Sequence, residues 1–331
     1  MGLYELKESI NMKKNILIGF LAGMILVFAG SLTASAYDLP SVNLGFTSFV
    51  DGTPPAGSGL YMAQYFQYWT SDSFKDAEGN ELLPPFAKED LKAWISLTQF
   101  LYQSDTKFML GGKWGIDVIV PYVVLDLKYA SAGAFPADNG SGAGDILIGP
   151  YLQWDPVMGA DGPKFVQRVE FQCIFPTGKY DYDRELNPGS NFFSFNPYWA
   201  GTFFITPRFT FTTRLHYLWN DQNDQPNRGF AGASETQAGQ AVHANFAMAY
   251  AAIPDRLRMG INGFYLRQIS DTKVDDVSVE GRKEKVIGIG PGAVFHFSQH
   301  AHLFFNTYYE TSVENRPKGS RMNLRFVYHF H

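Results

Sequence analysis

The sequence is short of the features that soluble enzymes use for stapling and for catalysis. Cys173 is the only cysteine among 331 residues, so no disulfide within the chain and no cysteine-based metal cluster can form. Basic residues are not in excess: 27 Lys and Arg stand against 32 Asp and Glu, a net charge of −5. That balance argues against a nucleic-acid partner. No Gly-x-Ser-x-Gly elbow occurs. The nearest imitation, Asn-Gly-Ser-Gly-Ala-Gly at 139–144, lacks the strand-to-helix context and is expected as a flexible loop tip. His296, His300 and His302 have no Cys or Glu-x-x-His neighbourhood, and no metal or other cofactor is expected. Asp271, Asp275, Asp276 and Glu280 fall in a polar segment expected as solvated loop rather than as a calcium site. Beyond residue 28 no apolar run approaches the ~18 residues of a membrane helix, so any membrane crossing must use strands.

What is present begins with an address. Lys13 and Lys14 precede an apolar run over 16–28, and Ala34-Ser35-Ala36 follows at the position of a cleavage site. Residues 1–36 therefore have the form of a secretory signal peptide, with a mature chain starting near Tyr37. Residues 37–58 carry Pro40, Pro54, Pro55, Gly45, Gly52 and Gly57 and cannot form a regular strand throughout. Two readings stand: a periplasmic tail, or a plug that folds into a barrel mouth.

Residues 59–331 read as strands. The last segment shows it best: Met322, Leu324, Phe326, Tyr328 and Phe330 share one parity, Asn323, Arg325 and His329 the other. Period two means one apolar and one polar face. Similar segments run over 59–69, 91–102, 107–127, 144–154, 164–175, 192–205, 208–219, 240–252, 256–269, 284–297, 301–311 and 321–330. Each has about ten residues or more, the length of a tilted transmembrane strand. The connections between them alternate long and short, as in outer-membrane barrels with long outer loops and short periplasmic turns. The expected fold is all-β: a transmembrane antiparallel up-and-down β-barrel of about 12 strands, placed in the bacterial outer membrane. Both Tyr37 and His331 are expected on the short-turn side. The aromatic content of 16% suits interfacial girdles.

An Arg or Lys on the lipid face at mid-depth costs about 2–4 kcal/mol, so the charged parity belongs inside. The expected lumen and substrate path holds Lys113, Asp117, Arg168, Glu170, Arg214 and His216. It continues with His243, Asn245, Arg258, Asn262, Gln268 and Arg325. From the plug segment, Phe46 or Phe49 is expected near Arg168 or Arg214. Asp117 and Glu170 as a catalytic pair are the less favoured reading, because lumen carboxylates ordinarily satisfy Arg or Lys. Pro121 and Pro150 remove ladder donors within adjacent strands. Pairing 127 with 144 places them opposite each other, either harmlessly with each ring at a non-bonded position or as a lateral gap in the wall.

Three stretches carry a resemblance: Phe175-Pro176-Thr177-Gly178-Lys179-Tyr180-Asp181, then Leu186-Asn187-Pro188-Gly189-Ser190-Asn191, then the run from Gly260 to Asp271. With Leu39-Pro40-Ser41-Val42-Asn43 and Pro54-Pro55-Ala56-Gly57 they resemble the family named for the meta pathway of phenol degradation. The resemblance covers essentially the whole mature chain. It implies an outer-membrane barrel that passes or binds small hydrophobic, aromatic compounds and is no enzyme. The alternative is a structural or adhesive barrel without specific transport. The partners expected are outer-membrane lipid, a small hydrophobic solute, and the barrel assembly machinery reading the C-terminal strand.

Overall fold

The computed structural model describes residues 38–53, 57–81, 89–129 and 138–330; the expected signal peptide lies outside them. Among the described residues twelve wall strands follow one another in chain order. They are β1 (Gly59–Phe74), β2 (Glu89–Lys107), β3 (Lys113–Tyr129), β4 (Ser141–Ala143 and Ile146–Gln153), β5 (Gly162–Glu170 and Cys173–Phe175) and β6 (Ser194–Phe195 and Tyr198–Phe204). Then come β7 (Phe209–Asn220), β8 (Ala241–Ile253), β9 (Leu257–Gln268), β10 (Lys285–His296), β11 (Ala301–Glu314) and β12 (Pro317–Phe330). Each pairs antiparallel with the next, and β12 pairs with β1 from Leu60↔Phe330 to Phe74↔Pro317. The ring therefore has no edge strand, which is what a sheet in lipid requires.

Alternation sorts the side chains inside out relative to a soluble protein. In β12, Arg325 is 6% exposed and its neighbour Phe326 42%. In β7, Thr210, Thr212, Arg214 and His216 are buried while Leu215 and Tyr217 face out. A water-soluble sandwich would bury the Phe and expose the Arg, so this arrangement identifies the outer solvent as lipid. Aromatic pairs lie toward both ends of the wall, Tyr68 with Trp94 at 4.4 Å and Tyr102 with Trp114 at 5.5 Å.

Three local expectations change. The turn placed at 103–106 lies at 108–112, because β2 runs on to Lys107. Leu110 and Gly111 take positive φ there (52° and 75°), which lets the chain reverse. The segment expected as a flexible tip enters the wall, Ser141–Ala143 pairing with Tyr122, Val123 and Val124. Tyr37 and His331 lie outside the described residues, but their neighbours are at opposite ends: Phe330 closes the ring at the short-turn end, whereas Asp38 sits among Thr272, Arg282 and Glu284 at the long-loop end. The acidic outer segment is tied as well as solvated, since Asp275 accepts from the Ser234 hydroxyl and from the Ser234 and Glu235 amides. The Ser234 contacts hold the Asp275 carboxyl below the usual carboxylate range.

Candidate functional site

Residues 38–53 run through the barrel interior. Their anchors explain the path. At the long-loop end, Arg282 holds Asp38 through two hydrogen bonds (2.6 and 3.0 Å). Glu284 accepts the Asp38 and Leu39 amides and pairs with buried Arg316. Midway, the Gly45 amide donates to Asn245 (2.8 Å), and Tyr308 and Asn323 donate to the Gly45 carbonyl. Gly45 has φ +85°, and a Cβ there would lie 2.6 Å from the Tyr308 ring, so only glycine fits. Near the short-turn end, Arg214 forks onto Asp51 at 2.6 and 2.7 Å, and Thr202 and Gln153 donate to the Asp51 and Gly52 carbonyls.

Among the described residues the ring contacts of Phe46 and Phe49 are with groups other than Arg168 and Arg214. Phe46 stands edge-on to Tyr65 at 6.0 Å, and Phe49 packs with Ala247, Ala249, Val294 and Phe304. The Arg214 guanidinium is satisfied by the Asp51 carboxylate, Arg168 lies against Gln153 and the Tyr151 ring, and the two phenyl rings take apolar patches.

Two cavities flank this segment. The outer one, about 190 Å³, is apolar: Leu39, Leu44, Ile95, Leu97, Val123 and Leu147 are among its walls, and the long loops roof it with Leu186 and Phe230. The inner one, about 100 Å³, is walled by Arg168, Arg214 and Arg325 with Tyr61, Tyr65 and Phe304. The polar lumen expected from alternation is thus found only in part. Toward the long-loop end strands β1 to β3 are apolar on both faces, with Trp69, Leu91, Ala93 and Val123 inside and Trp94 outside. The signal was available in Val118-Ile119-Val120-Pro121-Tyr122-Val123-Val124-Leu125, an unbroken apolar run where alternation stops.

The expected path residues divide. Asp117, Arg168, Glu170, Arg214, His216, His243, Asn245 and Arg325 are buried inside. Asp117 accepts from Gln99 (2.6 Å), and Glu170 from Tyr198 (2.5 Å) and Gln172 (3.3 Å). His216 stacks on His243 at 4.0 Å, whose Nε2 meets Asn196. Lys113 sits at the short-turn rim, paired with Asp155 at 2.6 Å. Arg258 is half-buried close to the turn that joins β8 and β9. Asn262 donates to the wall carbonyls of Gly290 and Thr307, and Gln268 ties Ser270, Thr272 and Glu284 at the outer end. The sequence reading missed Asp38, Asp51, Glu284 and Arg316, because each acts through a partner far along the chain.

The two prolines are not opposite each other. Pro150 pairs with Ile116, and the β3–β4 register sums to 266 rather than 271. Pro121 instead faces the break in β4 at Gly144 and Asp145, where the Gly144 amide donates to its carbonyl (3.0 Å). Pro150 likewise faces the break in β5, accepting from the Phe171 amide (2.9 Å). Each proline interrupts its own seam. The first interruption borders the outer cavity, since Pro121, Gly144 and Asp145 all line it. The Phe175–Asp181 and Leu186–Asn191 stretches converge there. Asp145 accepts the Gly178 amide (2.9 Å), the Ser190 amide (2.7 Å) and the Ser190 hydroxyl (2.5 Å), clamping segment 176–190 over the gap.

Among solved structures, the fold is similar to the COG4313 outer membrane channel from Pseudomonas putida F1, with a TM-score of 0.70 at 17% identity over 88% of this chain and 100% of that one. More distant are the translocator domain of the autotransporter NalP from Neisseria meningitidis (TM-score 0.46, 12% identity, 85% and 91% covered) and the TodX monoaromatic hydrocarbon channel (TM-score 0.43, 9% identity, 87% and 96% covered). No curated protein matches the sequence. The inside-out, edge-free barrel, a fold shared with the first of these channels, places the protein in the outer membrane. The model of the family described as "Putative MetA-pathway of phenol degradation" matches residues 71–326, and the chain belongs to that family.

Proposed function

We propose that the protein is an outer-membrane channel for the uptake of small hydrophobic, aromatic compounds, and that it does so without catalysis. The observation that carries this is the apolar outer cavity, enclosed by wall, loops and the inner segment. A neutral aromatic ring gains by leaving water for such a space, by roughly 25 cal/mol per Å² of apolar surface buried. The family's link to phenol degradation supports the same substrate class, and the likeness to the Pseudomonas putida outer membrane channel supports a channel. In this reading residues 1–36 direct export, 37–58 act as a plug, and 59–331 form the barrel.

An apolar solute that has reached the outer cavity meets charge below and a wall interruption beside it. We infer that it leaves sideways into the membrane at Pro121, where Asp145 and segment 176–190 form a movable cover. Toluene flux into liposomes holding the protein should exceed that of empty liposomes. Restoring the donors with Pro121→Val and Pro150→Val should lower it while the barrel still shifts on heating in gel electrophoresis. Unchanged flux in an assembled double variant would remove the lateral route, and no flux in the natural protein would remove the channel.

The C-terminal strand, ending on outward-facing Phe330, is the segment we infer the assembly machinery reads. Phe330→Ala should then lower the fraction of protein assembled in cells without changing refolding in detergent. A parallel loss in both would assign Phe330 to barrel stability alone.

A further inference from the structure

The outer and inner cavities meet at Tyr65, Gln99 and Arg214, which line both. Their chemistry is opposite. Three guanidinium groups and one carboxylate, Asp51, line the inner chamber, and Asp51 is committed to Arg214 through both oxygens. The other two acids nearby do not line it. Asp117 lies behind the Gln99 amide, and Glu170 lies behind Tyr198 and Gln172.

Arg325 is left over. It is 6% exposed, and among the described residues no carboxylate lies within ion-pair distance of it. Its guanidinium sits over the Phe304 ring at 3.6 Å, and its Nε has no hydrogen-bond partner. Arg168 is held by Gln153 and the Tyr151 ring rather than by an acid within ion-pair distance. A buried cation without an anion is costly, and an arriving carboxylate would remove that cost with a two-point contact. Tyr61, Tyr65 and Phe304 supply aromatic surface for a ring attached to that carboxylate.

We propose that the inner chamber binds the carboxylate of a monoaromatic acid, with Arg325 as its principal contact. The inference rests on the channel reading and narrows its substrate. Neutral aromatics stop in the outer cavity, whereas aromatic acids continue into the inner chamber, on the way to the short-turn end. Charge then sorts solutes between the membrane and the periplasm.

The test is titration calorimetry on the full-length protein in detergent, with benzoate, its neutral isostere benzamide, and benzylammonium. Benzoate should bind at least about tenfold more tightly than either, the low end of what a hydrogen bond to a charged group contributes. Arg325→Gln should remove that preference, and Arg325→Lys, which keeps the charge but loses the fork, should retain part of it. Equal affinity for benzoate and benzamide in the natural protein overturns the proposal with no variant needed. So does an undiminished preference in a folded Arg325→Gln protein. Toluene flux is measured separately: its absence removes the channel reading and leaves the titration to decide the site.

Discussion

Removing residues 38–57 raises the conductance of the reconstituted barrel severalfold. Twelve strands enclose a space between the filled eight-stranded barrels and the open porins, and here that space is occupied. Leu44, Phe46 and Phe49 fill it from the segment's side, while Asn245, Tyr308, Asn323 and Arg214 hold the segment from the wall. None of those wall groups belongs to the ladder that closes the ring. Their side chains can be satisfied by water once the segment is gone, so the barrel is expected to assemble. The two cavities would then merge into one polar-and-apolar conduit. Planar-bilayer recording of the shortened protein checks this. A conductance equal to that of the full chain would mean that residues 38–57 do not limit passage.

Breaking the Asp51–Arg214 pair has the largest expected effect of any single substitution. Both side chains are 9% exposed, and Arg214 also lies over the Tyr198 ring at 4.0 Å. Taking away one member of such a pair leaves the other charged and buried, at a cost of about 3–5 kcal/mol. Asp51→Asn is therefore expected to destabilise the seated segment by that order. The outcome is a noisier, more often open channel, because the upper anchors at Asp38 and Gly45 remain. Arg214→Gln should do the same. The double variant should lose less than the sum of the two, since it buries no lone charge. Denaturant unfolding gives the energies and bilayer recording gives the open fraction. Additive losses would show that the pair is not coupled and that something else holds the lower part of the segment.

The strand positions follow from a local rule, since side chains alternate faces every residue, and the run from Met322 to Phe330 shows it without reference to any neighbour. The parity that carries Arg214, His216 and Arg325 had to point inward, because lipid excludes it. Loop lengths sort by side for a reason that also survives in one dimension: successive strands reverse direction.

Three-dimensional structure decided the rest. The β3–β4 register of 266 depends on where the Gly144–Asp145 break accommodates the missing Pro121 donor, and counting back from an assumed loop end could not supply that. The apolar inner face of β1 to β3 became a cavity because residues 38–47 line it across the lumen. The direction of the inner segment was fixed by its charged ends. Asp38 finds Arg282 and Asp51 finds Arg214, contacts separated by 244 and 163 residues. Periodicity is a property of neighbours in the chain, whereas register, threading and the pairing of buried charges belong to groups that meet only once the ring has closed.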